Sequence, residues 1–260
     1  MRHPTAIIHP NAKLDADVSV GAYSIIGEHV QIGAGSVVGP HVVIDGHTTI
    51  GIGNRIFQFS SIGEIPQDKK YKGEPTQLII GDNNTIRESC TLNLGTVQDG
   101  GITSIGSENW IMAYVHVAHD CHIGDHNVIA NSVQFAGHVT VGNHTLIGGL
   151  CGVHQFVRIG DFAMVGFQTR LSQDLPPFVT AVGNPAEAKG PHQEGPRRAG
   201  YSAARVDMLK QIYRALYRAG SSFDNSKKEI EELRGQVPEA DADIDNMLAF
   251  LNNANRGIVR

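Results

Sequence analysis

The run His116-Val-Ala-His119-Asp120-Cys121-His122 sets three imidazoles beside a carboxylate. A neutral imidazole can take a proton from an alcohol near neutral pH. An adjacent carboxylate can orient that ring and favour its protonated form. Eighteen residues beyond His119 stands Gly137, next to His138, and eighteen further stands Gln155, next to His154. A glycine leaves its backbone N–H open to a developing oxyanion. Together these residues suit acid–base work on a polar substrate. Zinc is the other chemistry that histidines suggest, but His116 and His122 are six residues apart. In a coil of period six they occupy equivalent places on different faces and cannot converge tetrahedrally within one subunit. A zinc ion would have to be shared between subunits, so the expectation is no metal and no cofactor.

The element that positions these residues is a repeat, and internal periodicity takes precedence over local propensity. From Ile8, steps of six meet Leu14, Val20, Ile26, Ile32, Val38, Ile44, Ile50, Ile56 and Ile62. The series resumes at Ile80, Ile86 and Leu92, then runs from Ile105 through Ile123, Phe135, Ile147 and Ile159 to Leu171. Every stop is apolar. Glycine often follows, as at Gly27, Gly51, Gly124 and Gly142, where it is expected to relax the corner dihedrals. A period of six fits neither an α-helix nor a two-faced strand. It fits an all-β parallel β-helix of triangular section, in which each hexapeptide supplies one short strand and one corner. Three hexads close a coil, so residue i lies beneath i+18, with coils about 4.8 Å apart. His119, Gly137 and Gln155 then form one column, flanked by His138 and His154.

Residues 1–186 are assigned to this β-helix, interrupted by insertions at 63–79 and 97–104. Loops ejected from a rigid coil are natural places for function. Prolines at 185, 191 and 196 mark a linker over 187–200, and 201–260 reads as an α-helical C-terminal domain. Ser202 is expected to cap a helix whose stripe is Val206, Leu209, Tyr213 and Leu216. Ser226 and Glu229 suggest a capping box before Ile230, and a third helix carries Ile244, Met247, Leu248 and Leu251. Such a tail would cover the exposed end of the solenoid. The 260-residue chain has a formal net charge of −5, which argues against nucleic acid as a partner. Cys90, Cys121 and Cys151 read as reduced structural thiols. With no signal-like N-terminus and no apolar run of roughly 18 residues, the expectation is a cytoplasmic protein without a membrane span.

The segments HVAHDCHIG (116–124), FAGHVTVG (135–142), GVHQFVRIG (152–160) and IPQDKKYKGEPT (65–76) closely resemble the UDP-N-acetylglucosamine O-acyltransferases that open lipid A synthesis. The resemblance covers nearly the whole chain, including the ending RGIVR. It implies a left-handed β-helix, a homotrimer with active sites between subunits, and two partners, acyl carrier protein and UDP-N-acetylglucosamine. It further implies transfer of a 3-hydroxyacyl chain to the sugar 3-hydroxyl. Carried over by motif, His119 would be the general base with Asp120 beside it, and the Gly137 amide the oxyanion donor. Asp68, Lys70, His116, His138 and Gln155 would meet the sugar nucleotide, with His154 adjacent, and Glu194 and Arg198 would meet the nucleotide.

The chain departs from the family pattern at several places. Asn93-Leu94 stands where a His-Arg pair is usual, His192 replaces an Asn, and Ala199 replaces one of two arginines. Phe167, in the column Asn131–Gly149–Phe167, lies where the family lays its acyl chain. A large residue there is expected to shorten the chain accepted to ten carbons or fewer. Acyl carrier protein is acidic, and Lys210, Arg214 and Arg218, at four-residue steps of one helix face, are expected to dock it. Rival readings on the same coil are the related N-acyltransferase, which usually has a separate N-terminal uridine-binding domain, a zinc hydratase of the γ-carbonic-anhydrase type, and a non-catalytic scaffold.

Overall fold

The computed structural model describes residues 1–254 and 256–260. Most of the chain is a left-handed parallel β-helix of short strands, followed by a small helical region. The strands form three sheets of 9, 8 and 10 strands, the faces of a triangular prism. The first face includes His116–Val117, Gln134–Phe135 and Gly152–Val153; the second includes His122–Ile123 and Thr140–Val141; the third includes Val128–Ile129 and Met164–Val165. Register follows the eighteen-residue step, with Val117 opposite Phe135 and Phe135 opposite Val153. The second residue of each two-residue strand points inward: Ile26, Ile44, Ile111, Val117, Ile129 and Phe135 are buried, as is Ile62 of a longer strand. Each such side chain contributes about 1.5–3 kcal/mol of burial.

The corners differ from expectation. Gly27, Gly51, Gly124 and Gly142, which follow their strands, do not hold left-handed dihedrals. Those fall further round each corner and mostly on non-glycine residues, on one edge Asp120, His138 and Phe156, on the next His126, His144 and Phe162, on the third Ser132, Leu150 and Gln168. Backbone bonds between coils hold them there, such as His138 N–H to His119 O at 3.0 Å. Glycine is required for closeness instead: a Cβ on Gly124 would sit 2.7 Å from Gly142 O, and one on Gly51 2.7 Å from Gly81 O.

Where insertions break the eighteen-residue step, a buried asparagine ladder keeps coils aligned. The Asn84 amide donates to Asn54 Oδ1 and that of Asn109 to Asn84 Oδ1, both at 3.0 Å. The stretch expected as a linker is ordered: Glu187–Pro191 pairs antiparallel with Val179–Val182, and α1 spans Glu194–Arg198. Pro191 fits because this strand lies at the sheet's edge.

Helix α2 (Ala203–Tyr217) is capped by Ser202, whose hydroxyl accepts from Arg205 N–H, and its stripe Val206, Leu209, Tyr213 and Leu216 is buried. Helix α3 (Phe223–Glu231) begins earlier than expected. Ser222 is the cap, while Ser226 is buried inside the helix. Helix α4 (Asp241–Asn252) buries Ile244, Met247 and Leu251. With Phe162 and Phe178 these helices form a second core against the last coils. The C-terminus returns to the prism, where Val259 N–H donates to Asp174 O at 2.9 Å. Among the described residues, no helix is long and apolar enough to cross a membrane.

Candidate active site

On the edge between the first and second faces, Asp120 adopts a left-handed turn at φ 59°. Its buried carboxylate accepts the Thr96 N–H at 2.7 Å on Oδ1 and the Thr96 hydroxyl at 2.6 Å on Oδ2. Oδ2 also lies 2.8 Å from His119 Nδ1. An ionised carboxylate only accepts, so this contact sets the proton on Nδ1 and leaves Nε2 with its lone pair. The ring is nearly enclosed by the coil. Gly137, one coil on, lies directly against it: a Cβ there would be 2.5 Å from His119 Cε1 and 2.7 Å from Nε2. The Gly137 N–H donates to no acceptor among the described residues. The edge thus joins an oriented base, its carboxylate and an open amide donor.

His138 stands in the same cluster, edge-on to His119 at 5.0 Å between ring centroids and stacked on Phe156 at 4.4 Å. His116 projects from the first face, its Nδ1 2.7 Å from the Thr91 hydroxyl. Burial, and then the neighbouring His119, hold its imidazole below the usual range. His122 lies on the second face with Ser104, as the period required. Gln155 and His154 are exposed one coil above Gly137, with His154 Nδ1 3.1 Å from Gln155 O. Asp68 and Lys70 lie in the first insertion, where Asp68 accepts the Lys70 N–H at 2.9 Å. Among the described residues neither bonds to the His119 cluster.

Glu194 and Arg198 pair at 2.9 Å on α1. They line a cleft of about 330 Å³ with His126, His144 and Phe162, on the edge between the second and third faces. Phe167 is 64 % exposed on the third edge, its ring over Gly149. The site residues named from sequence are therefore distributed over all three edges of one chain. Lys210, Arg214 and Arg218 do converge, lining a pocket of about 300 Å³ with Lys189.

Three of the departures from the family pattern, Asn93, Leu94 and His192, have structural work. The Asn93 amide donates to Ile65 O at 3.1 Å, tying down the first insertion, and Leu94 packs on Gly46. His192 is buried, with Nδ1 2.8 Å from Phe162 O and Nε2 accepting the Gly195 N–H at 3.2 Å, which holds α1 to the prism.

Sequence reasoning missed Thr96 and Asp99. Thr96 immediately precedes the second insertion and Asp99 lies within it, both off the inward hexad positions, so no spacing rule could place them. One ligand atom each of His119, Asp120 and His138 lie within 4.8 Å of one another, close enough to share a metal ion. The Thr96 donors and the imidazole already engage both Asp120 oxygens, which suits the set better to orienting a base. Cys121 is enclosed, and burial pushes its thiol up to about 12, which leaves no thiolate for nucleophilic work.

A hexapeptide coil carrying this cluster defines a hexapeptide-repeat acyltransferase, and the comparisons agree. Residues 102–137 match the family "bacterial transferase hexapeptide (six repeats)", and 174–259 match "UDP N-acetylglucosamine O-acyltransferase; domain 2". Two relatives, from Paracidovorax citrulli and Verminephrobacter eiseniae, carry the name acyl-carrier-protein–UDP-N-acetylglucosamine O-acyltransferase. They are 57% and 54% identical over 258 residues, covering 99% of this chain and 98% of theirs. The crystal structure of UDP-N-acetylglucosamine O-acyltransferase from Moraxella catarrhalis superposes with a TM-score of 0.95 at 48% identity, covering 100% of this chain and 99% of that one. The chain belongs to the UDP-N-acetylglucosamine O-acyltransferase family and is an acyltransferase.

Proposed function

We propose that the protein transfers a 3-hydroxyacyl chain from acyl carrier protein to the 3-hydroxyl of UDP-N-acetylglucosamine, the first step of lipid A synthesis, with His119 as general base. The observation that carries this reading is the His119 ring, oriented through Nδ1 by Asp120 and laid against the open amide of Gly137. Nε2 takes the hydroxyl proton as the sugar oxygen attacks the thioester carbonyl. The Gly137 N–H meets the oxyanion, the C–S bond breaks, and the leaving thiolate takes the proton back from Nε2. No covalent acyl-enzyme is needed.

The base lies on one edge, Glu194 and Arg198 on a second and Phe167 on a third. This distribution supports a homotrimer in which neighbouring subunits complete each site around sugar nucleotide and acyl chain. In that assembly Asp68, Lys70, His116, His138, His154 and Gln155 contact the sugar nucleotide. Phe167 closes the acyl groove and limits the chain to ten carbons or fewer. The basic pocket of Lys189, Lys210, Arg214 and Arg218 receives the acidic carrier.

The test is transfer from a ladder of 3-hydroxyacyl carrier proteins to UDP-N-acetylglucosamine, with His119→Ala alongside. The expected result is a peak at short chains and a loss of about 10²–10⁴-fold in the variant. Phe167→Gly should move the peak to longer chains, and an unmoved peak overturns the groove assignment alone. A carrier KM insensitive to salt would remove the docking assignment. No transfer at any chain length overturns the whole reading.

A further inference from the structure

The second insertion brings two residues to the active edge. The loop is closed at its base by the Thr96 O to Gly101 N–H bond at 2.9 Å, and Gly95 lies so near Gly101 that a Cβ would stand 2.5 Å from its carbonyl carbon. Its one short turn, Val97–Asp99, ends at Gly100 with φ 76°. From that turn Asp99 Oδ2 reaches His138 Nδ1 at 2.7 Å. The Asp120 carboxylate also faces His138 Nδ1, but at 3.8 Å, against 2.8 Å to His119. Asp120 cannot orient both rings at hydrogen-bond distance. Asp99 takes the second one.

We propose that Asp99 is a positioning residue for His138. The loop Thr96–Asp99 is then one device that fixes both imidazoles: Thr96 holds Asp120 onto His119, and Asp99 holds His138. Accepting from Nδ1–H, Asp99 fixes the His138 tautomer and turns its Nε2 away from the two carboxylates, toward whatever polar group the site admits. The stack of His138 on Phe156 fixes the ring plane, which leaves rotation about the ring axis as the freedom Asp99 removes. The proposal rests on the acyltransferase reading only in assigning that polar group to the sugar nucleotide.

The Asp99 side chain is 55 % exposed, so the expected effect is modest. Asp99→Ala should raise the KM for UDP-N-acetylglucosamine roughly fivefold, the upper range for a solvent-accessible ion pair, with kcat nearly unchanged. Asp99→Glu should restore part of the loss. His138→Ala should raise the same KM further, and adding Asp99→Ala to it should change nothing more, because the partner is already gone. Nitrogen-15 shifts of His138 should report the Nδ1–H form in the wild type and a mixture in Asp99→Ala. Multiplicative KM effects in the double variant, or an unchanged tautomer, would overturn the proposal while wild-type transfer persists. Absence of wild-type transfer would fall on the acyltransferase reading instead, and the nitrogen-15 result would still decide the role of Asp99.

Discussion

Gly137→Ala is the sharpest perturbation of the site, because it keeps the backbone amide and adds a single methyl. That methyl would stand 2.5 Å from His119 Cε1 and 2.7 Å from Nε2, whereas carbon contacts settle near 3.5–4.0 Å. The ring must retreat by roughly 1 Å. It cannot take Asp120 along, since Thr96 holds both carboxylate oxygens. The 2.8 Å Nδ1–Asp120 contact therefore lengthens beyond useful hydrogen-bond range or the ring tilts. A displacement of this size costs on the order of 100-fold in rate, about 2.7 kcal/mol of barrier. The fold should lose less, about 1 kcal/mol, the low end for one added methyl in a packed setting, because the overlap falls on one edge of a single ring. The assay is kcat and KM for both substrates, beside a thermal melt. The expected pattern is a hundredfold lower kcat with a small fall in Tm. A kcat within threefold of wild type would refute the claim that ring placement against Gly137 matters.

Cys121→Ala should keep kcat, because the buried thiol is pushed up to about 12; the lost packing should cost about 1–2 kcal/mol in a denaturant melt. A collapse of kcat with the fold intact would reinstate a covalent route. Asp174 is buried with one carboxylate oxygen unbonded among the described residues, and burial raises its carboxyl above the ordinary range. A raised carboxyl means that the folded state binds the proton more tightly. Wild-type stability is thus depressed at neutral pH and recovers as pH falls through the folded-state value. Asp174→Asn should therefore melt higher at pH 7, with the gap closing toward pH 4; a gap independent of pH would show that the charge is not responsible.

The coil was legible because its signal is a strict period: Ile26, Ile44 and Ile62 are buried for the reason that spaced them. The same period predicted the His119–Gly137 contact, since residues eighteen apart must stack. It failed for glycine, where the structure asks for absence of bulk between coils and gives the left-handed corners to Asp120, His138 and their equivalents. It was silent on Thr96 and Asp99, which stand at the entry to and within an insertion whose path the repeat does not constrain. The α3 boundary was misplaced because Ser222 and Ser226 both offer capping hydroxyls. Packing decided between them, with Ser226 buried inside the helix. Asn93 and His192 read as gaps in a binding site, whereas their bonds to Ile65 O and Phe162 O show them holding a loop and a helix.

A prism edge is convex, and a convex edge cannot by itself exclude water from a transferring acyl group. His119 and the Glu194–Arg198 cleft lie on different edges of one chain, so a shared site requires a second copy. Mixing subunits tests this directly. His119→Ala lacks the base, and a chain with Glu194→Ala and Arg198→Ala lacks the cleft pair; each variant alone should be nearly inactive. Co-refolded in equal amounts, the two chains assort at random. In the proposed closed ring each site would take its base from one chain and its cleft from the neighbour. A site is then intact when a base-bearing chain meets a cleft-bearing neighbour, which random assortment gives for about one site in four. Recovery of about a quarter of wild-type activity would show that the two edges meet between subunits. With every site confined to a single chain, each chain in the mixture stays defective, and no recovery would be seen.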